Sequence, residues 1–546
     1  MPADTEAAAR LRAYELMQVV QSAARETAVR DLVALEAHAR RRGWREAELV
    51  AAAGLTMSVL LRSDADQAAA ATDALVARAR SDGAPHLLAL ALSLRAVAAA
   101  GRDDGEALLA DAASALAIVE EDSLPALDRC AVLLICAAGY NTLRLWELVT
   151  ELLDRASVLA PLCERPVQEP AVAANRVLVR LEWAVSLLET GATEDAWDHL
   201  ALAADAVPPA LANDGLQPLW RHDVLACRDL VAFVLASRTS TDEAADQLAV
   251  LDAHAARLAA DGDVEVLPTL QALVPYALLC RGRAAEALAR VRRDVPASTT
   301  TGAASFPLWV RAEVLAGQGR PDPSTDDAVV AFREYADAVS RHRWTMRQGL
   351  LEAARGRIAS ASLSIENLAL ARDLMLDPLT GIANRRAFDA WLTAVHPVET
   401  AAALLLLDLD QFKQINDVHG HAVGDDVLRA VSRLLVAHVR PGDLALRLGG
   451  DELAVVVQHP PVDAATSRSL DLATLAATAD ERAAALSAAV ATTDWDQVAP
   501  GLRVRISVGV AVGFLGPQAS GAADRLYRAA DAELYAAKSS RTRSAG

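Results

Sequence analysis

Aromatic side chains are scarce in this chain: Phe, Trp and Tyr together make up 4% of its 546 residues. The sequence is nonetheless 53% hydrophobic, so Ala, Leu and Val must build the core. Ala and Leu favour helix on propensity alone. Cysteine is equally sparse. The five, Cys130, Cys136, Cys163, Cys227 and Cys280, are odd in number and form no C-x-x-C pair. Each lies in or beside an apolar run, which argues against a disulfide framework or thiolate metal site and for buried core thiols in a reducing compartment. No uncharged apolar run reaches ~18 residues, so no transmembrane helix is expected. The opening MPADTEAAARLRAYELM lacks a signal-peptide core. A soluble, cytoplasmic chain is expected. Positive charge is also in deficit, with 53 Lys and Arg against 72 Asp and Glu, a net −19. A phosphate backbone or anionic membrane would be repelled overall. That argues against nonspecific nucleic-acid binding and leaves room for one local basic pocket.

Residues 1–345 read as helices of Ala/Leu style broken by short Gly, Asp, Ser or Pro punctuation. Three breaks resemble one another: AVAAAGRDDGEALLADAASAL, SLLETGATEDAWDHLALAADAV and LLCRGRAAEALARVRRDV. In each, a helix ends near Gly101, Gly191 or Gly282 and a second begins with an acid near its start. Glycine suits the left-handed residue after a helix, and acids suit the next N-terminus. Breaks every ~40–50 residues fall within the range of helical-hairpin repeats. The region resembles a divergent tetratricopeptide-like α-solenoid, which implies a concave surface for a protein or small-ligand partner. An irregular all-α domain is the alternative. His199, His222 and His254 stand singly, and Trp183, Trp197 and Trp220 are expected to pack between helices.

A break follows at GQGRPDPSTDDA, Gly317 to Ala328. Residues 346–376 form a connecting helix with a 3,4-spaced seam: Leu351, Ala354, Ile358, Ala361, Ile365, Leu368, Arg372 and Met375. Such a seam suits a two-stranded coil holding two chains in register, or a helix docked on its own solenoid.

From 377 the character changes. AAALLLLDLD (401–410) is a buried central strand ending in acids. DLALRL and ELAVVV flank Gly449-Gly450 as a β-hairpin, and LRVRISVGVAVG (502–513) is a further strand. The order β-α-α-β-β-α-β-α predicts a mostly antiparallel sheet with helices on one face, a ferredoxin-like palm. Asp408 and Asp410 end one strand, and Asp451 and Glu452 sit at the hairpin tip. If those strands are neighbours, their acids form a cluster that a hard divalent cation would neutralise. Glycines without Cβ atoms let a nucleotide lie against the turn. A solvated hairpin tip is the plain alternative.

Five ordered stretches, DPLTGIANRRAF, LLLLDLDQFKQINDVHGHAVGDDVL, RPGDLALRLGGDEL, SVGVAVG and ADAELYAAK, resemble the GGDEF family, the diguanylate cyclases. The resemblance covers residues 373–546 and implies an α+β GGDEF domain of adenylyl-cyclase-type palm over residues 377–546. It implies a reaction joining two GTP into cyclic di-GMP with release of pyrophosphate. Asp408, Asp451, Glu452 and the Leu409 carbonyl would hold Mg²⁺ (or Mn²⁺). Asp451, Glu452 and Arg447 would serve catalysis. Asn416 and Asp425 would read guanine; Phe412, Lys413, Gly449, Gly450, Lys538 and Arg541 would line the substrate site. Arg440 and Asp443, as R-x-x-D, would form an inhibitory site for product. A homodimer is implied, because the product joins two nucleotides. Leu453 stands where the family has Phe or Tyr and is expected to face the core. The tail after Lys538, SSRTR, lacks the usual Gly, so the phosphate-clamping arginine is Arg541, Arg543 or absent. The stretch 459–480 reads as a loop insertion before a helix. The rival reading is a silent domain that receives cyclic di-GMP or GTP, with the repeats as scaffold.

Overall fold

A computed structural model describes residues 4–21, 25–62, 64–120, 123–163, 167–238, 244–261, 266–294, 309–310, 327–394, 400–440, 442–458, 472–515 and 521–544. The chain divides into two compact units, Met1–Ile365 and Glu366–Gly546.

The first unit is all-helical, as expected. Its elements are α1 (Glu6–Val19), α2 (Arg25–Arg42), α3 (Arg45–Leu60), α4 (Ala65–Asp82), α5 (Pro85–Ala100), α6 (Gly105–Ile118), α7 (Ala126–Thr142), α8 (Trp146–Leu159), α9 (Glu169–Thr190), α10 (Thr193–Leu211), α11 (Pro218–Ala236), α12 (Ala244–Asp261), α13 (Val266–Cys280) and α14 (Ala284–Asp294). Consecutive helices pack as hairpins, α2 on α3, α5 on α6, α7 on α8 and α9 on α10. Gly191 (φ 81°) and Gly282 (φ 75°) are left-handed, and the following helices open with Glu194 and Glu286. Gly101 departs from this. It stays right-handed, and Asp103 takes the left-handed turn at φ 55°. Cys130, Cys136 and Cys227 are buried and Cys163 partly so, but Cys280 is exposed at the end of α13. The GQGRPDPSTDDA break lies almost wholly outside the described residues.

Helix α15 (Asp327–Asp373) runs 47 residues as one element, taking in residues 328–345, which read as helical in the sequence, and most of the connecting helix expected over 346–376. Its seam divides in two. Leu351 and Ala354 are buried and Ile358 partly buried in the core of the helical unit. Farther along, Ile365 and Leu368 are exposed. Arg347, only 6% exposed, anchors this helix. Its two terminal nitrogens donate to Glu147 of α8 at 2.7 and 2.6 Å. Its guanidinium lies 4.0 Å from the Trp344 ring centre and 5.4 Å from that of Trp146. A buried guanidinium is tolerable because carboxylate and rings replace its water.

In the second unit come α16 (Arg385–Thr393), β1 (Thr400–Leu409), α17 (Phe412–His419), α18 (His421–His438), β2 (Leu444–Gly449), β3 (Glu452–Gln458), α19 (Leu472–Thr492), β4 (Ile506–Leu515) and α20 (Ala522–Ser544). The sheet has order β2-β3-β1-β4 with every pair antiparallel. Helices cover both faces, where one face was expected. Leu405 and Leu407 share a core with Val427 and Leu428 of α18 and Leu486 of α19. Leu404 and Leu406 share another with Phe388 and Trp391 of α16 and Leu526 of α20. An uninterrupted Leu run suits a strand buried on both sides. Leu453 is fully buried, facing the first of these cores as expected. Of the expected loop 459–480, residues 472–480 are helical in α19 and 459–471 lie outside the described residues.

The buried part of α15 should contribute to stability of the helical unit. Leu351→Ala is expected to cost about 2–4 kcal/mol, and Leu363→Ala, at an exposed position of the same helix, less than ~0.5 kcal/mol. Urea unfolding followed by circular dichroism measures both.

Candidate functional site

Strand β1 is apolar until its end, where Asp408 appears, 8% exposed. The β1–β3 register sets Asp408 opposite Glu452. Directly paired residues in an antiparallel ladder project to the same face, so those two carboxylates share an edge. Asp451 adjoins them in the hairpin turn, its carbonyl 3.4 Å from the Leu409 amide. Asp410 turns elsewhere and accepts a 2.6 Å hydrogen bond from buried Ser507.

Helix α20 brings the counter-charge. A Cβ on Gly509 of β4 would lie 2.2 Å from the Ala530 carbonyl and 2.3 Å from the Leu534 amide. Only glycine permits that approach. One turn beyond Leu534, Lys538 Nζ lies 2.7 Å from Asp408 Oδ2. The Asp408 carboxyl still sits above its ordinary pKa. Burial raises it most, the Lys538 hydrogen bond opposes this, and neighbouring Asp451 and Glu452 push it up further.

These groups fit a hard divalent cation. A part-desolvated carboxylate with two acidic neighbours offers oxygen donors and calls for positive charge. Among the described residues, no group of three or more His, Cys, Asp or Glu side chains could enclose an ion alone. Nucleotide phosphates and water would complete such a shell, as Mg²⁺ prefers.

Arg447 is engaged structurally. Its guanidinium donates to the Gly450 carbonyl at 2.9 and 3.1 Å and to Asp377 at 3.0 Å. Asp377 also accepts from the Thr380 amide and hydroxyl, and the Arg447 amide bonds the Ala383 carbonyl at 2.7 Å. The arginine therefore ties the DPLTGIAN turn to the tip of the hairpin, and its guanidinium points to protein groups. The sequence placed Arg447 with the catalytic residues and gave no sign of this anchoring pair.

Asn416 and Asp425 lie half-buried on consecutive helices α17 and α18. Gly424 leaves room for the first of them: a Cβ there would fall 1.9 Å from Asn416 Oδ1. Phe412 packs on the core, while Lys413, Gly449 and Gly450 are exposed. Arg541 lies in α20, but its side chain and that of Arg543 fall outside the described ones.

At the other end of β2, the Arg440–Asp443 loop closes on itself. The Arg440 amide donates to Asp443 Oδ2 at 3.0 Å and the Asp443 amide to the Arg440 carbonyl at 3.0 Å. Arg482 of α19 also pairs with Asp443. This second arginine was not anticipated. Its signal was a lone cation beside the buried stripe Leu475, Ala479, Ala483 and Leu486.

Fold and site together define an α+β palm domain with an acidic strand end. The chain belongs to the GGDEF family: residues 374–544 match the family described as diguanylate cyclase, GGDEF domain. Over 191 residues it is 38% identical to an uncharacterized protein in the hutH 5′ region of Streptomyces griseus, covering 34% of this chain and 70% of that one. Diguanylate cyclase VdcA of Vibrio cholerae is 36% identical over 108 residues, 19% of this chain and 32% of the relative. Diguanylate cyclase DgcM of Escherichia coli is 42% identical over 96 residues, 17% and 23% of the two chains. The chain thus spans a third or less of these two named cyclases. Among solved structures, the coiled coil and GGDEF domain of DgcB from Caulobacter crescentus, in complex with c-di-GMP, is 26% identical. It covers 34% of this chain and 94% of its own, with a TM-score of 0.26. Family and relatives support a role in cyclic di-GMP signalling. Among the described residues no helix is long and apolar enough to cross a membrane.

The Asp377–Arg447 pair makes a prediction in pH. Burial works against the Asp377 carboxylate, but hydrogen bonds from Thr380 and Arg447 hold its pKa below the ordinary value. A depressed folded pKa stabilises above the unfolded value, and the benefit fades as pH falls through the folded one. Asp377→Asn should therefore destabilise the protein by roughly 1 kcal/mol at pH 7. The gap to the native chain should shrink below about pH 3.9, as read by urea unfolding across pH 3–7.

Proposed function

We propose that the chain is an active diguanylate cyclase, condensing two GTP into cyclic di-GMP and pyrophosphate under control of its helical unit and of its product. The observation that carries this is Asp408 in register with Glu452, beside Asp451, with Lys538 closing on the same carboxylate. Asp408, Asp451, Glu452 and the Leu409 carbonyl are the groups that would hold Mg²⁺ or Mn²⁺. The ion would neutralise charge on the triphosphate as a 3′-hydroxyl attacks the α-phosphate.

The chain's own residues do the rest. Asp425 accepts from the guanine N1 and N2 edge and Asn416 pairs with the remaining edge, selecting GTP over ATP. Lys413 and Lys538 meet the triphosphate, with Lys538 exchanging its carboxylate partner for phosphate when nucleotide arrives. Arg447 acts as a positioning residue that holds the hairpin. Each domain carries one GTP, so two must face each other. The exposed seam of Ile365, Leu368 and Met375 supports homodimerisation near the end of α15. Arg440, Asp443 and Arg482 form the product-binding feedback site, where guanidinium forks suit guanine and phosphate.

Purified full-length protein with GTP and Mg²⁺ is expected to yield cyclic di-GMP and pyrophosphate by chromatography. Asp451→Ala and Glu452→Ala should each abolish product. Product unaffected by either change would refute the site assignment. Binding of cyclic di-GMP without any turnover would establish the receptor reading instead. Arg440→Ala should raise the final yield by relieving feedback.

Gly424→Ala tests guanine reading separately. Displacing Asn416 should raise KM for GTP about tenfold, the worth of one hydrogen bond to a polar edge, with a smaller change in kcat.

A further inference from the structure

The helical unit contains a groove of about 430 Å³ between α8, α9 and α10, including the short turn after α8. That volume is in the range of small-molecule sites. Its apolar wall includes Leu153 and Val172, both buried, and Leu202, 45% exposed at the mouth. Arg176 and Arg180, one turn apart on α9, line it as well.

The two arginines differ in their partners. Arg176 is paired with Asp154 of α8. Arg180 has no carboxylate within ion-pair distance among the described residues. Its hydrogen bond is to His199 Nδ1 at 3.2 Å, and its guanidinium lies 5.6 Å from the Trp183 ring centre. His199 stacks on Trp183 at 4.1 Å. Burial first, and Arg180 second, lower its pKa to about 4. The imidazole is therefore neutral at pH 7 and its Nδ1 accepts the arginine proton. A guanidinium carries five N–H donors, and one is used here. Burial depresses the Arg180 pKa; Asp154 opposes this and Arg176 adds to it. Glu169 and Asp205 also line the groove, and neither is in ion-pair contact with Arg180. A part-desolvated cation with no carboxylate in ion-pair contact, next to an apolar wall, suits an anion with an apolar body.

We propose that this groove binds a small organic acid, its carboxylate seated on Arg180 beside Arg176 and its apolar body against Leu153, Val172 and Leu202. This gives the helical unit a ligand class of its own. The same helix α8 that lines the groove through Thr150 and Leu153 carries Glu147 and Glu151, which hold Arg347 and Arg355 of α15. An occupant would thus press on the helix that anchors α15.

Isothermal titration of the full-length chain with octanoate, octanol and inorganic phosphate, without GTP, tests this independently of cyclase activity. Octanoate is expected to bind at millimolar concentration or below, with octanol and phosphate at least tenfold weaker. Arg180→Ala should weaken octanoate about 10- to 100-fold, the worth of a charged hydrogen bond, and Arg180→Lys less. Leu202→Glu, at an exposed position, places an anion at the mouth and should abolish binding even if Arg180→Ala fails to fold. Four results would each overturn the proposal: no octanoate binding up to ~10 mM, octanol or phosphate binding as tightly, a folded Arg180→Ala chain that keeps its affinity, or full affinity in Leu202→Glu.

Discussion

The pairing of β1 with β3 is the constraint on which the site depends. A central strand covered on both faces has no tolerance for charge along its length, and this one places its first acid only at the ninth of ten strand positions, Asp408 after Leu407. The register then decides what faces that acid. Asp408 meets Glu452 because Leu407 meets Leu453 and Leu405 meets Val455. A one-residue slip would turn the Leu and Val side chains to the wrong cores. Hydrophobic packing over a whole strand thus fixes the position of two carboxylates that would otherwise repel each other. The Asp377–Arg447–Gly450 bonds do the same for the turn.

Close approach is the second theme. Gly509 admits the backbone of α20, and Gly424 admits the Asn416 side chain. In both places a missing methyl group sets the position of a polar side chain at the site. Arginine 347 is the helical unit's counterpart. Between two tryptophans and against Glu147, it fixes α15 on α8 through groups that have little other way to be satisfied.

Much of this was legible in the residues. The acid-terminated strand, the Gly-Gly hairpin, the element order and the core-facing Leu453 all follow from periodicity and turn chemistry. Other features were not, for physical reasons. An unbroken Leu run does not say whether one face or two is covered, so helices on both sides went unseen. A 3,4 seam marks an apolar stripe and not its occupant; here Leu351 and Ala354 serve the chain's own core. Arg482, Asp377 and Arg180 gain their meaning from partners 39, 70 and 19 residues away, which no local pattern encodes. At Gly101, an Asp two residues on supplies the left-handed turn that glycine was expected to make.

The salt bridge from Lys538 to Asp408 has a chemical corollary. Lys413 and Lys538 are the only lysines in the sequence; every other permanently cationic side chain is an arginine. Guanidinium groups are poor nucleophiles toward acylating agents, whereas amines react once unprotonated. Acetyl donors or succinimidyl esters therefore have just two side-chain amines to react with in the whole molecule. Both lie in the GGDEF domain, and one neutralises the very carboxylate at the end of β1.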